Sequence, residues 1–167
     1  ASWGVPQRCR CDRRELRFLE AEARRKLGQT SEGIRIDNGL LQTEFDGEVN
    51  HGLGLIVFKT RPRDAILYLR IAVQRRPTDP VFRNDLGYAL MESGAYKEAL
   101  PQLGTAVELD QTNAKARNNL VVLLLLNGDE ARARQVVQGT GVSDEKFAEL
   151  RRRAQTLSQS RAPVGRR

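Results

Sequence analysis

The sequence predicts an all-α fold, a solenoid of about four stacked helix pairs with a further helix at its C-terminal end. Three observations predict it. Apolar residues recur at helical spacing, as in Ala99, Leu103 and Ala106, which sets one stripe along a helix. Two segments of the chain align with each other at an offset of 34 residues, and self-similarity at such a period marks a repeated helical unit. Gly94 and its counterpart Gly128 stand where a helix has to stop in a left-handed conformation.

The alignment rests on many positions. Asn84-Asp85-Leu86-Gly87 matches Asn118-Asn119-Leu120-Val121, Leu90 matches Leu124, Ala99 matches Ala133, and Leu103 matches Val137. A more diverged copy lies one period earlier, with Asn50 on Asn84, Ile56 on Leu90, Ala65 on Ala99, Leu69 on Leu103 and Ala72 on Ala106. Small residues (Ala65, Gly87, Ala99, Ala133) fall where two helices of a pair cross closely. Pro62 falls where a second helix begins, a place that tolerates the missing N–H. Pro101 sits within the first turns of its helix, so that helix is expected to start near Tyr96–Glu98.

The period, with Leu86-Gly87, Leu90, Gly94, Tyr96, Ala99, Leu103 and Ala106 in one unit, resembles the tetratricopeptide repeat (TPR) family. The resemblance is close over roughly residues 46–141 and loose over 14–45. It implies antiparallel helix pairs coiled into a superhelix, with the first helix of each pair lining a concave wall that binds other proteins. The units expected are a degenerate repeat at 11–45, repeats at 46–79, 80–113 and 114–141, and a capping helix at 142–158. Residues 1–10 and 159–167 are expected to be a flexible tether and a disordered tail. In the degenerate unit, Arg13–Leu27 reads as an amphipathic helix ended by Gly28, with Ser31–Glu44 as its partner. The last helix, Ser143–Ser158, has Ser143 as N-cap and acidic residues in its first turn. Its charged outer face suits the end of a repeat array.

Composition narrows the function classes. Of 167 residues, 40% are hydrophobic and 29% charged, the balance of an ordinary folded chain, and the net charge is +7. The excess is nearly all Arg, most concentrated at Arg151, Arg152, Arg153, Arg161, Arg166 and Arg167. Such charge fits a solvated surface first, then an acidic partner or lipid headgroups. Nucleic acid is the weakest of these readings. Cys9 and Cys11, with one His in the chain, make a poor zinc site; free thiols and a short disulfide both remain open for them. The apolar run Leu120–Leu126 is too short to span a bilayer. No nucleophile elbow, zinc-protease or phosphate-loop pattern occurs, and Gly52-Leu53-Gly54 lies inside a helical pattern. His51 stands alone, with no nucleophile near it in sequence. No catalytic residue, metal site or cofactor is expected.

The candidate partner-binding residues are Asn50, Asn84, Tyr88, Met91, Asn118, Val122 and Leu125. Asn50, Asn84 and Asn118 hold one repeat position in three successive units, so they form a line along one wall. An amide offers both a donor and an acceptor, and the line either grips a bound peptide's backbone or satisfies groups at the repeat junctions. Tyr88 and Met91 follow within two turns, with Val122 and Leu125 as their counterparts. Leu123 through Leu126 is more apolar than a single buried stripe needs, so this helix buries a second face against a partner helix or against its own neighbours.

Asn84-Asp85-Leu86-Gly87-Tyr88-Ala89-Leu90 followed by Ala116-Arg117-Asn118-Asn119-Leu120 resembles the TPR lipoproteins of bacterial Tad (Flp) pilus loci, the TadD type. That resemblance implies a pilotin: a periplasmic protein, tethered to the outer membrane by a lipidated Cys outside this chain, that binds the C-terminal segment of a secretin subunit. Ala1-Ser2 would then follow the lipidated residue. A cytosolic TPR adaptor or co-chaperone that takes a peptide in its groove is the alternative.

Overall fold

Helix-stop and helix-start chemistry divides the chain into short, similar helices. The computed structural model describes residues 13–40 and 45–160. Among the described residues there are nine helices and no strand: α1 Arg13–Lys26, α2 Thr30–Asn38, α3 Asp46–Val57, α4 Pro62–Arg75, α5 Pro80–Ser93, α6 Tyr96–Leu109, α7 Ala114–Leu126, α8 Glu130–Val137 and α9 Asp144–Gln159. The tether at 1–10, Cys9, Cys11 and residues 161–167 of the tail lie outside the described residues.

Side-chain caps set four of the starts. Asp79 accepts from the Val81 and Phe82 N–H groups, Asn113 from Ala116, Asp129 from Arg132 and Ser143 from Lys146, each satisfying N–H groups that have no partner within the helix. Pro62 and Pro80 occupy first positions. Left-handed glycines end α5 and α7: Gly94 at φ 87° and Gly128 at φ 76°. Beyond Gly94, the Ala95 N–H returns to the Leu90 carbonyl at 2.9 Å, and beyond Gly128 the Asp129 N–H returns to Leu124 at 2.9 Å. Helix α6 does start at Tyr96 and carries Pro101 in its second turn. Pro101 and Lys97, whose carbonyl loses its helical donor there, are both exposed, so water can take the donor's place.

Two expected helix ends are corrected. The partner of α1 stops at Asn38 rather than Glu44, because the chain tightens there: Gly39 donates to Ile36 and Leu40 to Asp37, at 3.0 and 2.8 Å. Residues 41–44 lie outside the described residues. At the far end α9 runs through Gln159, into the span expected to be a tail.

Pairs form between α1 and α2, α3 and α4, α5 and α6, and α7 and α8; α4 packs on α5, α6 on α7, and α9 on α7. Close crossing depends on missing side chains. A Cβ on Gly87 would lie 2.6 Å from Leu103 Cγ, and one on Gly54 would lie 2.8 Å from Leu69 Cγ. In the first pair, a Cβ on Gly33 would meet Arg25 Cγ at 2.8 Å, where Arg25 reaches over to pair with buried Asp37. The core has two blocks: Ala21, Ile36, Leu40, Val49 and Leu53 under the first three helices, and a larger block from Leu69 through Ala154. The second apolar face of α7 is covered from within the chain. Val121, Val122 and Leu123 are fully buried, and α9 brings Phe147, Leu150 and Ala154 against that block.

Candidate functional site

The first helices of successive pairs, α1, α3, α5 and α7, with α9 continuing the series, form one inner wall. A run of polar residues crosses it. His51 on α3, Asp85 on α5, Asn119 on α7 and Arg153 on α9 each occupy the same repeat position. His51 Nε2 lies 2.9 Å from Asp85 Oδ2, across a sequence separation of 34. Arg153 Nη1 reaches Asn119 Oδ1 at 3.4 Å across the same separation. The middle is joined through Asn84, which donates to Asp85 Oδ1 at 2.8 Å and accepts from Asn119 Nδ2 at 2.9 Å. Lys115 Nζ adds a 2.7 Å contact to Asp85 Oδ1.

Burial works against ionising Asp85, but the hydrogen bonds from His51 and Lys115, helped by the lysine's charge, outweigh it and hold this carboxyl below the usual carboxylate range. An ionised carboxylate only accepts, so Nε2 of His51 carries the proton in that bond. The His51 ring also stacks on Phe82, with centroids 4.4 Å apart and planes 21° from parallel.

Two apolar hollows flank this polar run and share Leu55, a large side chain left 50% exposed. The first, about 370 Å³, has Leu55, Phe58, Leu69 and Tyr88 as apolar lining and Asp85, Lys115, Asn119 and Arg153 as polar lining. Phe58 and Tyr88 meet at 5.5 Å, and the Arg153 guanidinium lies 5.5 Å from the Tyr88 ring centroid. Burial, reinforced by the Glu92 charge, pushes the Tyr88 hydroxyl pKa up. The second hollow, about 450 Å³, has Phe18, Leu55, Ile56 and Phe82 as apolar lining and Glu22, Arg25, Lys26, Glu48 and His51 as polar lining. Gly52 admits the Arg25 guanidinium here, whose Cζ lies 3.0 Å from where a Cβ would stand.

The residues expected from the sequence divide. Tyr88 lines the first hollow. Asn84 is 1% exposed and belongs to the polar run, so it faces its neighbours and not a partner. Asn50 is buried and spends its amide on Asp46, donating to the backbone carbonyl and to Oδ1, both at 2.7 Å. Asn118 is half-buried, and its neighbour Asn119 is the residue that joins the run. Met91 and Val122 are fully buried in the core and offer no surface. Leu125 is half-buried in a separate recess beside Leu126 and Ala154. Sequence reasoning passed over Leu55, Asp85, Lys115 and Asn119 as site residues and read Arg153 only as part of the basic excess. One signal was available: positions 51, 85, 119 and 153 share one register and are all polar. Their chemical diversity hid them beside the repeated Asn one position earlier.

Among the described residues, no group of three or more His, Cys, Asp or Glu side chains is placed to hold a metal ion. No helix among them is long and apolar enough to cross a membrane.

Comparison with known proteins agrees with the architecture. Two family models, both described as tetratricopeptide repeat, match residues 57–112 and 90–153. A TPR repeat-containing protein of Pseudomonas aeruginosa is 38% identical over 118 residues, covering 69% of this chain and 48% of that protein. The peroxisomal targeting signal receptor of Eremothecium gossypii is 33% identical over 90 residues, 53% of this chain and 16% of the receptor. The chain thus spans about half the length of the first relative and a small part of the second. Among solved structures, YrrB, described as a TPR protein with an unusual peptide-binding site, superposes with a TM-score of 0.62 at 20% identity, over 89% of this chain and 73% of that one. That last likeness is one of fold.

Proposed function

Because this chain is a tetratricopeptide repeat protein, an all-α solenoid, we propose that it is a binding scaffold that holds a segment of another protein against its inner wall. The observation that carries this reading is the pair of apolar hollows on either side of Leu55, which is half exposed, with Phe18, Ile56, Phe58 and Tyr88 partly buried around it. Soluble proteins seldom leave concave apolar surface without a use for it. The relative named as a targeting signal receptor supports a segment-binding role.

Within that class, the finer proposal is a pilotin-like assembly factor at the periplasmic face of the outer membrane, with a secretin subunit as its partner. Its support is the likeness of Asn84–Leu90 and Ala116–Leu120 to TPR lipoproteins of Tad pilus loci. A pull-down from a native lysate with the wild-type chain and Leu55→Glu tests both levels. Secretin recovered by the wild type and lost with the variant supports the finer proposal. Other proteins lost in the same way support the scaffold and reject the secretin. Recovery that is indifferent to Leu55 rejects the inner wall as the binding surface.

A further inference from the structure

We infer that α1 is an interface between two copies of this chain, packed antiparallel about a two-fold axis at Ala23. None of the four apolar residues that form it, Leu16, Leu19, Ala23 and Leu27, lines either hollow of the inner wall.

Leu16, Leu19 and Leu27 are 53%, 51% and 74% exposed, three of the eight large apolar side chains left exposed among the described residues. Ala23 between them is exposed as well. At about 100° per residue, these four span about 80° of one helix face. Leu27 keeps that spacing although it follows the last residue of α1, because its N–H still bonds to the Ala23 carbonyl at 3.0 Å. The core side of α1 is the opposite one. There Ala21 is fully buried, Phe18 stacks on Phe45, and Arg25 pairs with Asp37. In later pairs the first helix is covered by the helix before it, α5 by α4 and α7 by α6. Nothing among the described residues covers α1 in that way. The other end of the array is closed differently: the exposed residues of α9, from Asp144 to Gln159, are all polar, as the last helix of a solenoid needs to be.

A second copy is the occupant because the charges beside the stripe are self-complementary. Glu20 and Glu22 precede Ala23, and Arg24 and Lys26 follow it. Glu20 and Arg24 lie along one edge of the stripe and Glu22 and Lys26 along the other, the two pairs joined within the helix at 2.8 and 2.7 Å. A two-fold axis at Ala23 reverses the order along each edge. Glu20 then comes beside Arg24 of the second copy, and Glu22 beside Lys26 of the second copy. A parallel pairing would set acid beside acid and base beside base. The same axis brings Leu19 level with Leu27 of the second copy, about 6 Å to either side of Ala23, and the alanine lets the two helices approach at their crossing. One helix face per copy buries less than the roughly 1,200 Å² of a standard interface, so the dimer is weak and forms as concentration rises.

Sedimentation equilibrium of the full chain at rising concentration tests the inference. The weight-average mass should climb from 18.8 kDa toward twice that value. Leu19→Glu, which acts at both ends of the interface, should weaken association more than about tenfold, and Leu67→Glu on α4 should leave it unchanged. Both side chains are more than half exposed, so both variants keep the fold, which circular dichroism checks. Glu20→Lys and Arg24→Glu should each weaken association about threefold. Mixed in equal amounts, they should associate more tightly than either alone, because each supplies the charge the other lacks; no effect within a single chain produces that result. A wild-type mass that stays at the monomer value overturns the second copy. A Trp3 emission that then shifts in Leu19→Glu assigns the stripe to residues 1–12 instead, Trp3 being the only tryptophan. Association indifferent to Leu19, or equally sensitive to Leu67, overturns α1 as the surface. A mixture that associates no more tightly than its components overturns the antiparallel arrangement.

Discussion

His51 and Asp85 are 34 residues apart in the chain and 2.9 Å apart in space, from Nε2 to Oδ2. One repeat period thus closes on itself as a hydrogen bond between α3 and α5. Asp85 ionises more readily in the folded chain than in the unfolded one, so its stabilising contribution is complete above the ordinary carboxylate pKa of about 4 and is lost as pH falls through the lower folded value. Asp85→Asn is expected to cost about 1–3 kcal/mol at pH 7 and to flatten the loss of stability below about pH 4. Urea unfolding at pH 7 and pH 3 checks both. An unchanged difference between the two pH values would contradict the assignment.

Three glycines give opposite expectations. A Cβ at Gly87 would lie 2.6 Å from Leu103 Cγ and 3.2 Å from the Leu103 backbone nitrogen. Gly87→Ala should therefore destabilise by about 1–3 kcal/mol through overpacking. Gly54→Ala, with Leu69 Cγ at 2.8 Å, should behave alike. Gly104 lies inside α6 with nothing within 4 Å of its added Cβ, so Gly104→Ala should stabilise by about 0.5–1 kcal/mol. Thermal melts of the three variants read the contrast directly.

Asn84 and Asn118 share a repeat position but not a role. Asn84→Ala strands the buried amide of Asn119 and removes a donor from Asp85, so a loss of about 1–3 kcal/mol is expected. Asn118 is half-buried and lies outside that chain of bonds; Asn118→Ala should stay within about 0.5 kcal/mol of wild type. Denaturant midpoints distinguish them, and equal losses would mean that the two amides are structurally equivalent after all.

The architecture was legible because packing constraints recur every 34 residues. Gly87, Ala99 and Ala133 had to be small, Gly94 and Gly128 had to turn left-handed, and Ser143 had to cap. Each leaves a mark in a single sequence. The end of α2 was missed because it is set by a local tightening at Gly39, which apolar periodicity does not register. The wall was harder to read. Identity at Asn50, Asn84 and Asn118 drew attention to a position whose first two members serve packing, while the solvent-accessible residues of the inner wall, Leu55, Lys115 and Arg153, differ from repeat to repeat. A scaffold position that every repeat needs is repeated, whereas a position that meets one partner has no reason to be. Met91 and Val122 were misplaced for a related reason: α7 reads as apolar all round, and the sequence leaves open whether a partner or α9 covers its second face.

Site-specific photocrosslinking tests the central claim most directly, with a benzophenone side chain placed at Leu55 on the inner wall and, separately, at Leu67 on the outward face of α4, which is 58% exposed. In the native lysate, position 55 is expected to capture a discrete protein partner and position 67 to capture none. Equal capture at both positions, or capture at 67 alone, would contradict binding on the inner wall.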